Sequence, residues 1–230
     1  MINTMKNKRL RMFTHIDIPE LPKLVQKTRP NGKRTYVTPE GNEYASVTTI
    51  LGDKPKPYLD KWRAMLGEDK AAKETKRCAD RGSAIHEMAE KYLNNVENPT
   101  RGYKSEHVGG FNTLRFALNK INNIRAQEVG LYSDMFKYAG TVDCVAEFQG
   151  TLSIIDFKTS TNNKKVDMIE DYFCQTTLYA IAWFEMTGEP IEDIVVLITV
   201  EKGLAPLVYK EKIENWIGIS LQRIDEFNNK

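Results

Sequence analysis

The chain is predicted to adopt an α/β fold, a central mixed β-sheet flanked by helices with a helical N-terminal part, and three observations support this. Between Gly140 and Phe157 apolar residues first alternate and then run nearly unbroken, as in two partly buried strands joined at Gln149-Gly150. Three longer stretches, Glu68 to Asn94, Phe111 to Ile124 and Val166 to Thr187, instead repeat apolar residues at helical spacing. The β-branched run Ile194 to Val200 has the length of a core strand. With 230 residues the chain can bury a sizeable core, and its 41% hydrophobic and 28% charged content is that of an ordinary globular protein. A basic arm, residues 1–34, followed by a single domain over residues 35–230 is the economical division.

The elements follow in chain order. The arm carries nine Lys or Arg against Asp17 and Glu20, leaving a net charge of −5 for the rest. Such an arm suits phosphate contacts, although a solvated tail explains its first dozen residues equally well. Lys33 to Val37 and Glu43 to Val47 predict a hairpin around Pro39-Glu40-Gly41-Asn42, with Tyr36 and Tyr44 available for packing or for stacking on bases. Ser46 caps a short helix through Thr48-Thr49-Ile50-Leu51, and Pro57 opens another that passes Trp62 and Arg63 to stop near Gly67.

Glu68 to Asn94 predicts a long helix with a broad face of Ala71, Ala72, Thr75, Cys78, Ala79, Gly82, His86, Ala89 and Leu93. Its small residues predict close packing. Gly82, which costs roughly 1 kcal/mol of helix propensity relative to alanine, predicts a close backbone approach at that turn. By composition alone, His86 reads more readily as a hydrogen-bonded core residue than as a ligand. A further helix is predicted through Phe111, Leu114, Leu118, Ile121 and Ile124, then a strand from Glu128 to Tyr132. Glu128 stands either as an additional acidic group or as one half of an ion pair. Downstream, Gln175 and Tyr179 lie one turn apart on the helix from Val166 to Thr187. Gly188 ends that helix, Leu207 to Tyr209 forms a second strand after Ile194 to Val200, and Lys212 to Phe227 predicts a closing amphipathic helix.

The chemistry gathers on the central hairpin. Asp156 and Lys158 emerge on one face of their strand, and the hairpin can bring Asp143 to the same end. Two carboxylates suit a hard divalent cation, and a lysine beside them can align or activate water. That is chemistry for cutting a phosphodiester, though an isolated Asp-x-Lys is more often a solvated surface pair. Several classes are excluded by motif. There is no phosphate loop for ATP and no Gly-x-Ser-x-Gly elbow of an esterase. Cys78, Cys144 and Cys174 form no Cys-x-x-Cys pair, which argues against a zinc or iron–sulfur centre and fits a reducing cytoplasm. No apolar run approaches the ~20 residues of a membrane span, and the basic N-terminus lacks a signal peptide's apolar stretch. The expected location is therefore cytoplasmic, with no membrane partner.

Taken together, Gly140-x-x-Asp143, Asp156-x-Lys158-Thr159 and Gln175-x-x-x-Tyr179, with His86 upstream, resemble the PD-(D/E)XK nuclease superfamily and its RecB-type exonuclease branch. Ser46-Val47-Thr48-Thr49-Ile50-Leu51, Trp62-Arg63 and Arg81 through His86 extend the resemblance to mitochondrial and phage-encoded exonucleases of that branch, over about Ala45 to Val200. Val142 stands where the superfamily motif has proline, which is not a ligand. The four-cysteine cluster of some RecB-type relatives cannot form here. The resemblance implies a restriction-endonuclease-like core. It also implies that Asp143, Asp156, the Phe157 carbonyl and His86 hold one or two Mg²⁺ or Mn²⁺ ions, with the imidazole tilting the choice toward Mn²⁺. Lys158 would align the water, and Gln175 and Tyr179 would steady the strand ends and the substrate. The implied substrate is DNA, with a preference for single-stranded ends, in replication, recombination or repair, alongside a protein partner from that machinery. If the chain is phage-encoded, the cytoplasm is the host's. Two alternatives stay open: a structure-specific endonuclease on the same fold, and a DNA-binding protein that kept the fold without cutting.

Overall fold

One strand pairs with three others, and the gap this leaves in the sheet shapes the molecule. A computed structural model describes residues 12–54 and 56–229; four of the arm's nine basic residues, Lys6, Lys8, Arg9 and Arg11, lie outside the described residues. In chain order the elements are β1 Val25–Thr28, β2 Arg34–Val37, β3 Glu43–Ser46, α1 Val47–Gly52, α2 Pro57–Leu66, α3 Glu68–Leu93 and α4 Ser105–Leu118. Then follow β4 Ile121–Ser133, β5 Tyr138–Phe148, β6 Thr151–Ser160, α5 Glu170–Thr187, β7 Asp193–Val200, β8 Leu207–Lys212 and α6 Ile217–Asn228. The strands form one mixed sheet in the order β1-β2-β3-β5-β6-β7-β8, with β4 on the other edge of β5. The pairs β3–β5 and β6–β7 are parallel and the others antiparallel. No helix among the described residues is long and apolar enough to cross a membrane.

Both faces of the central strands are covered. Phe173, Leu178 and Trp183 of α5 pack on one face beside α1 and α6. Ile85, Met88, Phe111 and Leu114 of α3 and α4 pack on the other. Double coverage explains why β6 and β7 read as continuous apolar runs rather than alternating ones. Gln149 and Gly150, at φ 53° and 87°, form the tight turn between β5 and β6.

The gap lies on the edge of β5 that faces β6. There β5 pairs with β6 from Phe148 back to Cys144, and with β3 at Ala139 and Tyr138. Residues 140–143 have left one partner and not reached the other. At this fork the Asp143 carboxylate accepts the Phe157 N–H at 2.7 Å, replacing the ladder bond that β6 would otherwise lack.

Several sequence expectations need correction. Val25–Thr28, assigned to the arm, forms an edge strand on β2. Ile121 and Ile124 belong to β4, not to a helix. Asn123, at φ 48°, lies in an irregularity that places both isoleucines in one buried cluster three residues apart, imitating helical spacing. The helix expected from Val166 begins at Glu170, after a 3₁₀ turn over Val166–Met168. The closing helix begins at Ile217 because β8 runs on to Lys212. Buried Asp193 holds Lys210 and Lys212 at 2.6 and 2.8 Å, keeping that end extended. On α3 the buried side chains are Ala71, Arg81, Ile85, Met88, Ala89 and Leu93, while Ala72 and Ala79 are exposed. The small-residue face is thus not a tight packing seam. Tyr36 and Tyr44 are buried, with their hydroxyls on Gln26 and Thr141, and on Asp134, respectively, so neither ring is free to stack on a base.

Candidate active site

The fork gathers charge. On β4, the pairs Gln127↔Cys144 and Val129↔Val142 flank Glu128 and set it opposite Asp143. Glu128 has φ 50°, a left-handed conformation uncommon for a residue with a side chain and typical of local strain at working sites. From α3, His86 brings Nδ1 to 3.5 Å from Asp143 Oδ2, and its ring meets Phe157 edge-on at 5.9 Å. Ligand atoms of His86, Glu128 and Asp143 all lie within 4.8 Å of one another. Although its side chain still meets solvent, Glu128 is pushed up, first by partial loss of hydration and then by the negative charge of Asp143, Glu90 and Asp156.

Asp156 sits across the fork in a different environment, 1% exposed. Its Oδ1 accepts Gln175 Nε2 at 3.0 Å and Lys158 Nζ at 2.6 Å, and its Oδ2 lies 2.5 Å from the same ammonium. Burial pushes this carboxyl up, to about 6, with Lys158 pulling it back and Asp143 raising it further. Burial lowers Lys158, but the charges of Asp156 and Asp143 outweigh that and leave it raised. Within the pair, the ammonium is therefore the secure charge and the carboxyl the member more easily neutralised. The ammonium also lies 5.2 Å over the Tyr172 ring.

Gln175 and Tyr179 stand behind this pair. Tyr179 is 3% exposed, and a Cβ on Gly140 would come within 2.7 Å of its Cε1. Glycine at 140 is thus what lets the ring lie against β5. This placement packs Tyr179 against β5 behind the Asp156–Lys158 pair. Gly82 has a weaker constraint, since a Cβ there would meet Thr159 Oγ1 at an ordinary 3.5 Å. The close approach expected at Gly82 is absent.

The cleft above the fork holds about 540 Å³ and is lined by Arg34, Gly82, Ser83, His86, Glu87, Glu90 and Glu128. One imidazole and two carboxylates meeting in a polar cleft are a donor set suited to a divalent cation. Of the residues predicted to hold metal, the structure groups His86 and Asp143 with Glu128. It keeps Asp156 paired to Lys158 and Gln175, one step behind. Phe157 contributes its N–H to Asp143. Arg34 had no signal beyond its membership of the basic arm, and Glu90 none beyond standing one helical turn after His86; the fold brings β2 and the second half of α3 to one cleft.

Residues 106–211 match the family described as the PD-(D/E)XK nuclease superfamily. That segment contains Glu128, Asp143, Asp156, Lys158, Gln175 and Tyr179 but not His86. Over 178 residues the chain is 30% identical to mitochondrial genome maintenance exonuclease 1 of Mus musculus, covering 74% of this chain and 51% of the relative. The Homo sapiens protein of the same name is 29% identical over 181 residues, covering 74% and 50%. The chain spans about half the length of the curated relatives it matches.

Proposed function

The chain carries a nuclease domain of the PD-(D/E)XK superfamily, and from that premise we propose that it is a divalent-metal-dependent exonuclease of DNA that prefers single-stranded ends. The observation that carries the reading is the fork itself, where His86, Glu128 and Asp143 converge beside a buried Asp156–Lys158 pair. A protein that only binds nucleic acid gains nothing by clustering carboxylates where phosphates must approach.

His86, Glu128 and Asp143 would hold Mg²⁺ or Mn²⁺, with Asp156 adjoining. Such an ion, when bound, polarises a phosphoryl oxygen and makes water more acidic. The remaining work belongs to the chain. Gln175 and Lys158 fix the Asp156 carboxylate in one rotamer. Asp143 ties the unpaired edge of β5 to Phe157, so the two strands keep their separation. Lys158 aligns the attacking water and offers positive charge where the phosphate becomes most anionic. Tyr179, wedged on Gly140, prevents the fork from collapsing.

The end preference rests on α2. This helix has no buried residue; Tyr58 is 65% exposed, and Lys61 and Arg63 are exposed as well. Lys56, at its start, reaches Asp171 of α5 at 3.5 Å. Asp171 immediately precedes Tyr172, the ring beneath Lys158. Aromatic rings with nearby cations favour single strands, whose bases are free to stack. On this reading α2 takes the role that Tyr36 and Tyr44 cannot fill.

Two expected outcomes follow. Linear single-stranded DNA is degraded rapidly, blunt duplex slowly, and circular single strands resist under the same metal conditions, as read on end-labelled and circular substrates. Circles cut as fast as linear strands would replace the exonuclease with an endonuclease on this fold. His86→Ala lowers activity in a way that added Mg²⁺ or Mn²⁺ partly restores, because losing one ligand weakens affinity before it alters chemistry. A lowered melting temperature with unchanged metal dependence would instead make His86 a core residue.

A further inference from the structure

A second cavity, about 600 Å³, adjoins the cleft and shares Glu128 with it. Its floor follows from the β4–β5 ladder. The same-face pair next to Glu128 and Asp143 is Gly130 and Thr141, two residues along each strand and roughly 7 Å away. Its roof is the segment from Ile18 to Leu24. Leu24 lies so close over Gly130 that a Cβ there would meet its Cγ at 2.9 Å. The roof is anchored upstream, where Ile16 N–H donates to Ile124 O at 2.8 Å and Ile124 N–H to Thr14 O at 2.9 Å. The far wall is polar: the Tyr36 hydroxyl bonds Gln26 Oε1 at 3.0 Å and Thr141 Oγ1 at 3.1 Å.

None of these groups has a part in the mechanism above. The volume lies within the roughly 300–1,000 Å³ of small-ligand pockets, and apolar walls with a few placed polar groups are the usual lining of such pockets. A nucleobase fits that description, with apolar faces for the roof residues Leu21 and Leu24 and a hydrogen-bonding edge for Gln26, Tyr36 and Thr141. With a phosphate at the Glu128–Asp143 position, the neighbouring nucleoside has this cavity beside it. We infer that the cavity receives the base and sugar of the nucleotide next to the phosphate being cut, so that strand ends are recognised partly through their terminal base. This rests on the nuclease reading.

The test is binding first and cutting second. In Mg²⁺, where neither probe holds a phosphodiester to be cut, a deoxynucleoside monophosphate is titrated calorimetrically against deoxyribose phosphate lacking a base. The nucleotide is expected to bind the wild-type chain about tenfold more tightly or better, the discrimination one well-filled apolar pocket provides. Leu24→Trp, which fills the cavity, is expected to erase the difference. Gln26→Ala, at an exposed position that spares the fold, is expected to weaken the nucleotide severalfold and leave deoxyribose phosphate unchanged. Equal binding of the two probes by the wild-type chain, or nucleotide binding unchanged in Gln26→Ala, overturns the assignment. Labelled strands with an intact or an abasic terminal residue separate the two readings. Cutting that ignores the missing base defeats the cavity alone, whereas a wild-type chain that cuts no strand defeats the nuclease reading beneath it.

Discussion

Asp143→Asn is expected to abolish cleavage while leaving the fold intact. The amide oxygen can still accept the Phe157 N–H that Asp143 takes at 2.7 Å, so the fork keeps its shape and the loss falls on charge. A carboxylate removed from a three-ligand cluster removes both affinity for a divalent ion and the negative charge that balances it. A rate loss on the order of 10³ or more is expected, with an unchanged melting temperature. Asp156→Asn is expected to be as inactive but also less stable. It leaves the Lys158 ammonium without its counter-charge in a buried setting, and breaking such a pair costs about 3–5 kcal/mol. Rates on a labelled single strand in Mg²⁺, beside thermal melts, check both. Near-normal cutting by either variant would remove the site from the fork.

Lys158→Ala is the second large effect, a loss on the order of 10²–10³ in turnover. The geometry adds a signature in pH. Burial raises Asp156 and Lys158 opposes it, so removing the ammonium sends the carboxyl higher still. A carboxyl raised in this way is neutral over more of the neutral range and ionises only as pH increases. Residual activity in Lys158→Ala should therefore climb with pH over a range where the wild-type profile has already levelled. The measurement is a rate–pH profile for both proteins. A loss smaller than about fivefold, or two parallel profiles, would make Lys158 a bystander.

Much of this was legible in the sequence, for identifiable reasons. The alternation of Val142, Cys144, Ala146 and Phe148, interrupted by Val145, and the Gln149-Gly150 turn specified the hairpin, and a two-residue turn fixes register closely enough to bring Asp143 toward Asp156. Ser46 was legible as a cap because its side chain does accept the Thr49 N–H, at 3.0 Å. What stayed hidden depends on contacts between distant segments. Nothing near Asp143 reveals that the β5–β6 ladder stops at Cys144, or that Glu128 sits directly across β4 in a left-handed conformation. Ile121 and Ile124 kept helical spacing because an irregular strand can imitate it. The small residues of α3 look like a packing seam until the first half of that helix is seen to be largely exposed. Gly140 was legible as part of a motif but not as the seat of the Tyr179 ring.

On the reading proposed above, this fork is a metal-dependent phosphodiesterase centre. It is tested most directly by incubating wild-type protein with an end-labelled single strand in EDTA, then adding excess Mg²⁺ or Mn²⁺ to the same reaction. The strand is expected to stay intact in EDTA and to lose its label rapidly into short products once either ion is supplied. Cutting that proceeds in EDTA, or a strand still intact with both ions present, would contradict it.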